Sequence, residues 1–435
     1  MLNRAAQPFV RLVEKYLPDP FVLVLLLTLV TFMAAYLVED QAPILILQQW
    51  GGGIWGLLTF SMQMLLVLVS GFMLASTPLV KQILEKLALL GNTPGKAIVL
   101  VTLVSLTTSW LNWGFGLVAG ALFAKALARR TAVDYRLLVA SAYSGFVVWH
   151  GGLAGSIPLA IATPGHFAED QIGVIDTSHT LFATFNIVLL AILFVVVPLV
   201  NRLMLPDSKN SVIVSPEDLQ EASAPPVAST RPADKLENSV ILSQLIGLSG
   251  LIYLGYYFFN GGGLNLNIVN TLFLFLAISL HGTPRHLLHS LQQGIKGGGG
   301  VVIQFPFYAG IMAVMVQSGL AETLSTWLIS FATPESLAVW SFISAGIVNI
   351  FVPSGGGQWA VQAPVMLPAA LELGADVSRV AMAVAWGDAW TNLIQPFWAL
   401  PVLAIAGLRA KDIMGFCLMQ LIITGFVIGL CLRFL

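Results

Sequence analysis

Two segments decide the fold of this chain: 349–366, NIFVPSGGGQWAVQAPVM, and 385–401, AWGDAWTNLIQPFWALP. Both are apolar enough to lie in a membrane, yet the first is interrupted at 353–358 and the second at 387–396. Backbone groups that such breaks free at bilayer depth are tolerated only where they line a cavity inside the protein. The two breaks therefore predict a polar site for a solute within a membrane protein.

The composition excludes a water-soluble globular fold. Of the 435 residues, 57% are hydrophobic and 9% are charged, whereas soluble domains average about 25% charged residues. Several apolar runs approach the roughly 20 residues that a spanning helix needs, and the alternating pattern of a β-barrel is missing. The first run, 21–38, is too long for the core of a signal peptide, so we expect it to remain as a span. We predict an all-α polytopic membrane protein.

The two halves of the chain resemble each other. AVDYRLLVASAYSG at 132–145 matches ADVSRVAMAVAWG at 375–387, and IPLAIA at 157–162 matches LPVLAIA at 400–406. Asn112 corresponds to Asn349, and Thr93-Pro94 opens a segment as Thr333-Pro334 does. A Pro- and Ser-rich stretch and one extra span separate the copies, which makes the number of crossings between them odd. The second copy is therefore expected to be inverted.

These matches define the predicted organisation, which has two inverted repeats with two re-entrant helical hairpins and two broken transmembrane helices. Inverted repeats whose broken helices meet near the membrane midplane are typical of secondary transporters. The predicted parts are a first repeat at 1–203 with a hairpin at 94–130 and a broken helix at 137–163, a cytoplasmic linker at 204–238, a connecting span at 239–259, and a second repeat at 260–435 with a hairpin at 334–372 and a broken helix at 379–407.

The distribution of Lys and Arg predicts the orientation. Short loops rich in these residues favour the cytoplasmic side. The basic segments include 1–20, 78–96 and 282–296, whereas 39–53 and 164–179 contain no Lys or Arg. We therefore expect a cytoplasmic N-terminus, a first hairpin that enters from the cytoplasm and a second hairpin that enters from outside.

Asp388 and His150 are the main ionisable residues within the predicted membrane, with His281 near its edge. A charge at that depth is costly and is a functional hypothesis by default. Asp388, together with Thr391 and Asn392, offers oxygen atoms that suit Na⁺, or it carries a proton. The structural alternatives are that Asp388 caps a half-helix and that His150 is a packing residue. We predict that Asp388 and His150 take part in ion coupling.

The breaks contain no convincing Lys or Arg, so an anionic solute would be held by the N-termini of half-helices, whose N–H groups and dipole favour negative charge. Tryptophans near the breaks either wall an apolar pocket for a short alkyl tail or belong to an interfacial belt. A single anion cradle with apolar walls suits a small monocarboxylate better than a dicarboxylate or a sugar. The predicted solute-binding residues are Ser109, Asn112, Trp113, Asn349, Ser354, Gly355, Gly356, Gln358, Trp359, Thr391 and Asn392.

Other functions lack their sequence signals. The glycine run at 297–300 lacks the Lys-Ser/Thr ending of a Walker motif, which disfavours an ATP-driven pump. The spans contain no cluster of His or carboxylate residues at ligand spacing, so we predict no enzyme, no cofactor beyond a possible coupling Na⁺, and interfacial histidines at 281, 286 and 289.

Cys417 and Cys431 lie about 21 Å apart along a predicted helix, too far for a disulfide. No basic tract suggests nucleic acid, so the expected partners are membrane lipid and a small carboxylate.

Three stretches resemble a known family. TTSWLNWGFG at 107–116, VNIFVPSGGGQWAVQAP at 348–364 and WGDAWTNLIQPFWALP at 386–401 are similar to the bacterial short-chain fatty acid transporter family, a branch of the ion transporter superfamily. The resemblance implies a homodimer in the bacterial inner membrane, with a scaffold domain and a moving domain. It also implies uptake of acetoacetate or butyrate by elevator-like alternating access, coupled to H⁺ or Na⁺. The alternatives are a Na⁺/H⁺ antiporter of the same superfamily, a C4-dicarboxylate carrier, and a receptor or assembly factor without transport activity.

Overall fold

The structure, a computed structural model, describes residues 18, 20–207, 211–219 and 231–435. Helices are the only regular secondary structure within these ranges. In the same ranges, nine helical stretches are long and apolar enough to cross a membrane. The predicted fold class, an all-α polytopic membrane protein, is confirmed.

The helices of the first half begin and end with an apolar span. They are α1 (Pro20–Val38), α2 (Pro43–Gly53), α3 (Leu58–Ala75), α4 (Pro78–Ala88), α5 (Pro94–Leu111), α6 (Trp113–Ala128), α7 (Tyr135–Ser144), a 3₁₀ segment (Gly145–Gly151), α8 (Ser156–Ile161), α9 (Glu169–Ile172), a 3₁₀ segment (Thr177–His179) and α10 (Thr184–Leu203).

The second half follows the linker, within which the structure describes a 3₁₀ segment (Pro216–Leu219). Its helices are α11 (Ala233–Glu237), α12 (Val240–Phe259), α13 (Leu266–His281), α14 (Pro284–Gly294), a 3₁₀ segment (Ile295–Gly298), α15 (Gly299–Ser318), α16 (Leu320–Ile329), α17 (Leu337–Val348), α18 (Gly355–Leu373), α19 (Val377–Thr391), a 3₁₀ segment (Asn392–Ile394), α20 (Pro396–Ala406) and α21 (Ala410–Phe434).

The same order of elements occurs twice. A long helix (α3 or α15) is followed by a short helix (α4 or α16), a hairpin (α5–α6 or α17–α18), a broken helix (α7–α8 or α19–α20) and a final span (α10 or α21). The extra span α12 lies between the copies, and a protein built in this way has inverted repeats. Each hairpin packs against the broken helix of its own copy, α5 and α6 against α7, and α17 against α19.

Local sequence explains where these helices begin. Thr77 and Thr93 each precede a proline, and their side chains accept hydrogen bonds from the backbone N–H groups of Val80 and Lys96. A Thr N-cap followed by Pro in the first helical position is a strong start signal. The two copies also share an acidic cap, because Asp134 caps α7 and Asp376 caps α19.

Three details differ from the predictions. The segment 39–53, expected as an external loop, contains the helix α2, which packs against α15. Gly387 and Asp388, expected within the second break, lie inside α19, and the break falls at 392–395. The helix continues because the next proline is Pro396, and because Gly387 allows α17 to approach, where a methyl group would lie 2.3 Å from the backbone oxygen of Phe342. The glycines at 355–357, expected in a turn, form the first turn of α18.

The linker is not uniformly solvated as its composition suggested. The backbone of Val212 pairs with the start of α7, accepting from Tyr135 N at 2.8 Å and donating to Oδ2 of Asp134 at 2.8 Å. Leu219 is buried. At the other end of the linker, Arg285 of α14 binds Asp234 at 2.7 Å. Composition did not predict these contacts, because one buried residue hardly changes the average composition of a polar segment.

Candidate functional site

A buried His–Asp pair joins the two broken helices. His150 lies in the 3₁₀ segment after α7, Asp388 lies in α19, and both side chains are 0% exposed. Nε2 of His150 lies 3.3 Å from Oδ2 of Asp388. The structure therefore brings together the two residues predicted to couple ions, one from each repeat.

The carboxylate of Asp388 is incompletely satisfied. Asn392 donates to its Oδ2 from Nδ2 at 3.0 Å, but Oδ1 has no hydrogen-bond partner among the described residues. A buried charged oxygen without a partner is expensive. A proton on Oδ1, or a cation beside it, would remove that cost.

Asn349 connects the second hairpin to the same region. Its Nδ2 lies 3.0 Å from the backbone oxygen of Asp388 and 2.8 Å from both Thr391 Oγ1 and Asn392 Oδ1. An amide nitrogen carries two protons, so at most two of these three oxygens receive a hydrogen bond at once. Oδ1 of Asn349 also has no partner within the described chain. The cluster is therefore rich in oxygen acceptors and short of donors.

The start of α18, in contrast, has backbone N–H donors without a partner in the helix. No side chain caps this helix, and its first hydrogen bond runs from Gln358 N to the Ser354 oxygen at 2.7 Å. The N–H groups of Gly355, Gly356 and Gly357 therefore have no partner within the helix. This helix end fits the predicted mode of anion binding.

The first of these glycines touches the His–Asp pair. A methyl group on Gly355 would lie 2.1 Å from Nε2 of His150 and 2.8 Å from the ring of Trp149. Only a glycine allows the backbone of the hairpin to approach so closely. The start of α18 and the His150–Asp388 pair are thus in direct contact.

Aromatic rings surround this contact. Trp149 stacks on Phe146 with ring centroids 5.5 Å apart, and Trp113 packs against Trp149 at 5.7 Å and against Trp398 at 5.3 Å. These rings come from the first hairpin and from both broken helices. They form an apolar wall of the kind predicted for an alkyl tail.

Several buried donors beside this wall lack a partner. Within the described residues, Oγ of Ser109 and the Nε1 atoms of Trp113, Trp149 and Trp359 form no hydrogen bond. Buried donors are normally paired, so these four are candidate donors to a ligand.

Two of the predicted solute-binding residues are occupied with structural contacts. Oδ1 of Asn112 caps α6 by accepting from Phe115 N at 2.9 Å, and its Nδ2 donates to the Val67 oxygen at 3.3 Å. Nε2 of Gln358 donates to the Ala345 oxygen at 2.8 Å, which ties α18 to α17, but its Oε1 remains unpaired in the described part of the chain. In this structure Asn112 positions its hairpin rather than offering its amide to a solute.

Two residues that the sequence did not single out support the second break. The hydroxyl of Tyr143 donates to the backbone oxygen of Asn392 at 2.5 Å, and Nε2 of Gln395 donates to the backbone oxygen of Asn349 at 2.5 Å. Gln395 could have been found, because it is a polar residue directly before Pro396 in a membrane segment. Tyr143 gave no such signal because its position is that of an ordinary helix residue.

The fold is that of a polytopic membrane protein with two helical hairpins and two broken helices. The crystal structure of the YdaH transporter of Alcanivorax borkumensis is similar to this chain, with a TM-score of 0.51 and 15% identity over 95% of this chain and 98% of that one. At this identity the likeness concerns the fold alone.

Comparison of sequences is more specific. Residues 1–435 match the family described as short chain fatty acid transporter. A relative from Escherichia coli (strain K12), provisionally named a short-chain fatty acid transporter, is 43% identical over 99% of this chain and 100% of its own length. A relative of the same name from Haemophilus influenzae (strain ATCC 51907 / DSM 11121 / KW20 / Rd) is 41% identical over 99% of both chains. The chain belongs to the short-chain fatty acid transporter family, and it is a transporter rather than an enzyme.

Proposed function

We propose that this protein takes up short-chain fatty acids such as acetoacetate or butyrate, coupled to H⁺ or Na⁺, by alternating access. The observation that carries the proposal is the contact between Gly355, at the uncapped start of α18, and His150, which pairs with Asp388. One side of this contact has spare donors, which suit an anion, and the other has spare oxygens, which suit a cation.

The anion part of the site is argued from charge and shape. The free N–H groups at 355–357 and the dipole of α18 favour a carboxylate. The wall of Trp113, Trp149 and Trp398 offers an apolar surface to a short alkyl tail. The breaks contain no Lys or Arg to neutralise a second carboxylate, so the arrangement favours a monocarboxylate over a C4-dicarboxylate.

The cation part of the site contains the acceptors that lack donors. Oδ1 of Asp388 and Oδ1 of Asn349 have no partner in the described chain. A proton on Asp388 or a Na⁺ ion near Asp388, Thr391 and Asn392 would satisfy oxygens that are otherwise bare. The cation would be cargo, bound and released in each transport cycle, and its charge would offset that of the carboxylate.

Uptake into proteoliposomes tests the proposal. Purified protein is reconstituted, and entry of radiolabelled butyrate is measured with an imposed pH gradient, with an imposed Na⁺ gradient and with neither. We expect accumulation above the external concentration with one of the two gradients. Unlabelled succinate, used as a competitor, should leave that uptake unchanged.

The other outcomes separate the alternatives. Decay of the pH gradient on addition of Na⁺ alone, without butyrate uptake, would support a Na⁺/H⁺ antiporter. Competition by succinate at the concentration of butyrate would support a C4-dicarboxylate carrier. No gradient-dependent flux of any kind would contradict transport of these solutes.

We further propose that the protein is a homodimer in the bacterial inner membrane with its N-terminus in the cytoplasm. The distribution of Lys and Arg supports this orientation. Asn92, before α5, and Asp170, in α9, are both exposed. An impermeant thiol reagent outside the cell should label an Asp170→Cys variant and should label Asn92→Cys only after the membrane is permeabilised. The reverse pattern would contradict the orientation, and size measurement in detergent checks the dimer.

A further inference from the structure

Two cavities approach the tip of the second hairpin from different directions. The first, here called the Gln63 cavity, has a volume of about 200 Å³ and is lined by Gln63, the 163–167 loop and Leu266 at the start of α13. The second, here called the Ser354 cavity, has a volume of about 20 Å³ and is lined by Ser354, Gly300 and Trp398. α13 runs from the Gln63 cavity to the short helix α14, and the segment after α14 returns to the start of α15, where Gly297 and Gly298 lie against Leu68 and Leu65 of α3. The Ser354 cavity therefore lies on the α14 side of the Gln63 cavity.

Two phenylalanines lie between these cavities. Phe60 of α3 lines the Gln63 cavity, and Phe305 of α15 lines the Ser354 cavity. Their ring centroids are 5.9 Å apart in an edge-on arrangement, and the side chains are 9% and 1% exposed. Each cavity thus ends on a ring, and the two rings touch.

The pair follows the symmetry of the repeats. α3 and α15 are the corresponding long helices of the two copies, and each begins after a short segment that is not α-helical, at 54–57 and at 295–298. Each phenylalanine lies within the first two turns of its helix. Each repeat therefore contributes one ring to the boundary of the cavity beside its own helix start.

The hairpin tip rests on the same rings. A methyl group on Gly356 would lie 2.9 Å from the ring of Phe60, and one on Gly357 would lie 2.4 Å from the ring of Tyr308. Tyr308 in turn packs on Phe305 with centroids 5.8 Å apart. A displacement of the tip would therefore remove packing from both phenylalanines.

We infer that Phe60 and Phe305 form a septum that separates the two cavities and is held closed by the tip of the second hairpin. The inference rests on the proposed function for the solute that crosses the septum, a small monocarboxylate. The Gln63 cavity is the approach for that solute: at roughly 30 Å³ for each water displaced, its volume accommodates a molecule of about six heavy atoms such as butyrate.

Removing one ring should uncouple transport. In proteoliposomes, Phe60→Ala and Phe305→Ala should lower gradient-driven accumulation of butyrate towards equal concentrations on both sides, while downhill equilibration continues at a rate within about threefold of the wild type. A structural defect would lower both rates. Phe60→Leu, which keeps most of the volume, should retain accumulation.

A second measurement needs no carboxylate. A pH gradient is imposed across the vesicles, and its decay is followed with an internal pH-sensitive dye. The alanine variants should lose the gradient severalfold faster than the wild type. Phe167→Ala is the matched control, because Phe167 also packs on Phe60, at 6.2 Å, and lines the Gln63 cavity but does not touch Phe305 in the described packing.

The two measurements test the proposed function and the septum independently. If wild-type protein does not transport butyrate, the proposed function fails while the decay of the pH gradient still tests the septum. The septum is contradicted if Phe60→Ala and Phe305→Ala hold the gradient as the wild type does, or if Phe167→Ala loses it equally fast. Elution of each variant as a single species from size exclusion confirms that a folded protein is compared.

Discussion

Asp388→Asn is expected to abolish gradient-driven accumulation of butyrate while the protein remains folded and inserted. The amide keeps the size of the side chain and can still pair with Asn392 and His150, but it neither binds a proton at neutral pH nor carries the charge that attracts a cation. We expect accumulation in proteoliposomes to fall at least about tenfold, which corresponds to ~1.4 kcal/mol or more of lost coupling.

Asp376→Asn is the matched control for this experiment. Asp376 starts the same helix, where its Oδ1 accepts from the N–H groups of Ser378 and Arg379. Asparagine caps helices about as well as aspartate, so uptake by this variant should equal that of the wild type. Full gradient-driven uptake by Asp388→Asn would remove this carboxylate from the mechanism.

Gly355→Ala is expected to have the second large effect. Its methyl group would lie 2.1 Å from Nε2 of His150, and neither His150 nor Trp149 has space to move, since both are at most 1% exposed. Overpacking of a buried site costs about 1–3 kcal/mol. Relief of the clash must push the hairpin away from the His–Asp pair. Since each 1.4 kcal/mol corresponds to a factor of ten, we expect the initial rate of uptake at low butyrate concentration to fall at least about tenfold.

The same substitution elsewhere provides the comparison. A methyl group on Gly255 of α12 would meet no atom within 4 Å, and alanine is the better helix former by up to about 1 kcal/mol. Gly255→Ala should therefore transport normally and unfold at the same or a higher temperature. Equal uptake by the two variants would show that close approach at Gly355 is not required.

The existence of the breaks was readable from the sequence because each depends on a few neighbouring residues, although the second break falls at 392–395 rather than at 387–396. The Thr93-Pro94 pair marked the start of α5, whereas Asp134 and Asp376 were recognised only as matching positions of the two copies and not as caps. His150 and Asp388 were singled out as ionisable residues within the predicted membrane, but their contact was not predicted. In each case the sequence signal came from neighbouring residues or from a pattern that occurs in both copies.

The contacts that sequence reasoning did not predict depend in part on distant partners. Asn112 was predicted to bind solute, but its amide is used by Phe115 N and by the oxygen of Val67, which lies 45 positions away. Tyr143 supports the break at Asn392 across 249 positions. A polar residue in a membrane segment signals that it needs a partner, but only the fold decides whether that partner is backbone or ligand.

The two attachments of the linker have a geometric consequence. The backbone oxygen of Leu219 accepts a hydrogen bond from Arg129, which directly follows α6 of the first hairpin. Asp234 is paired with Arg285 of α14. About 15 residues join Leu219 to Asp234, and a chain of that length reaches at most roughly 50 Å. As long as both attachments persist, the length of the linker limits how far the first hairpin can move from α14.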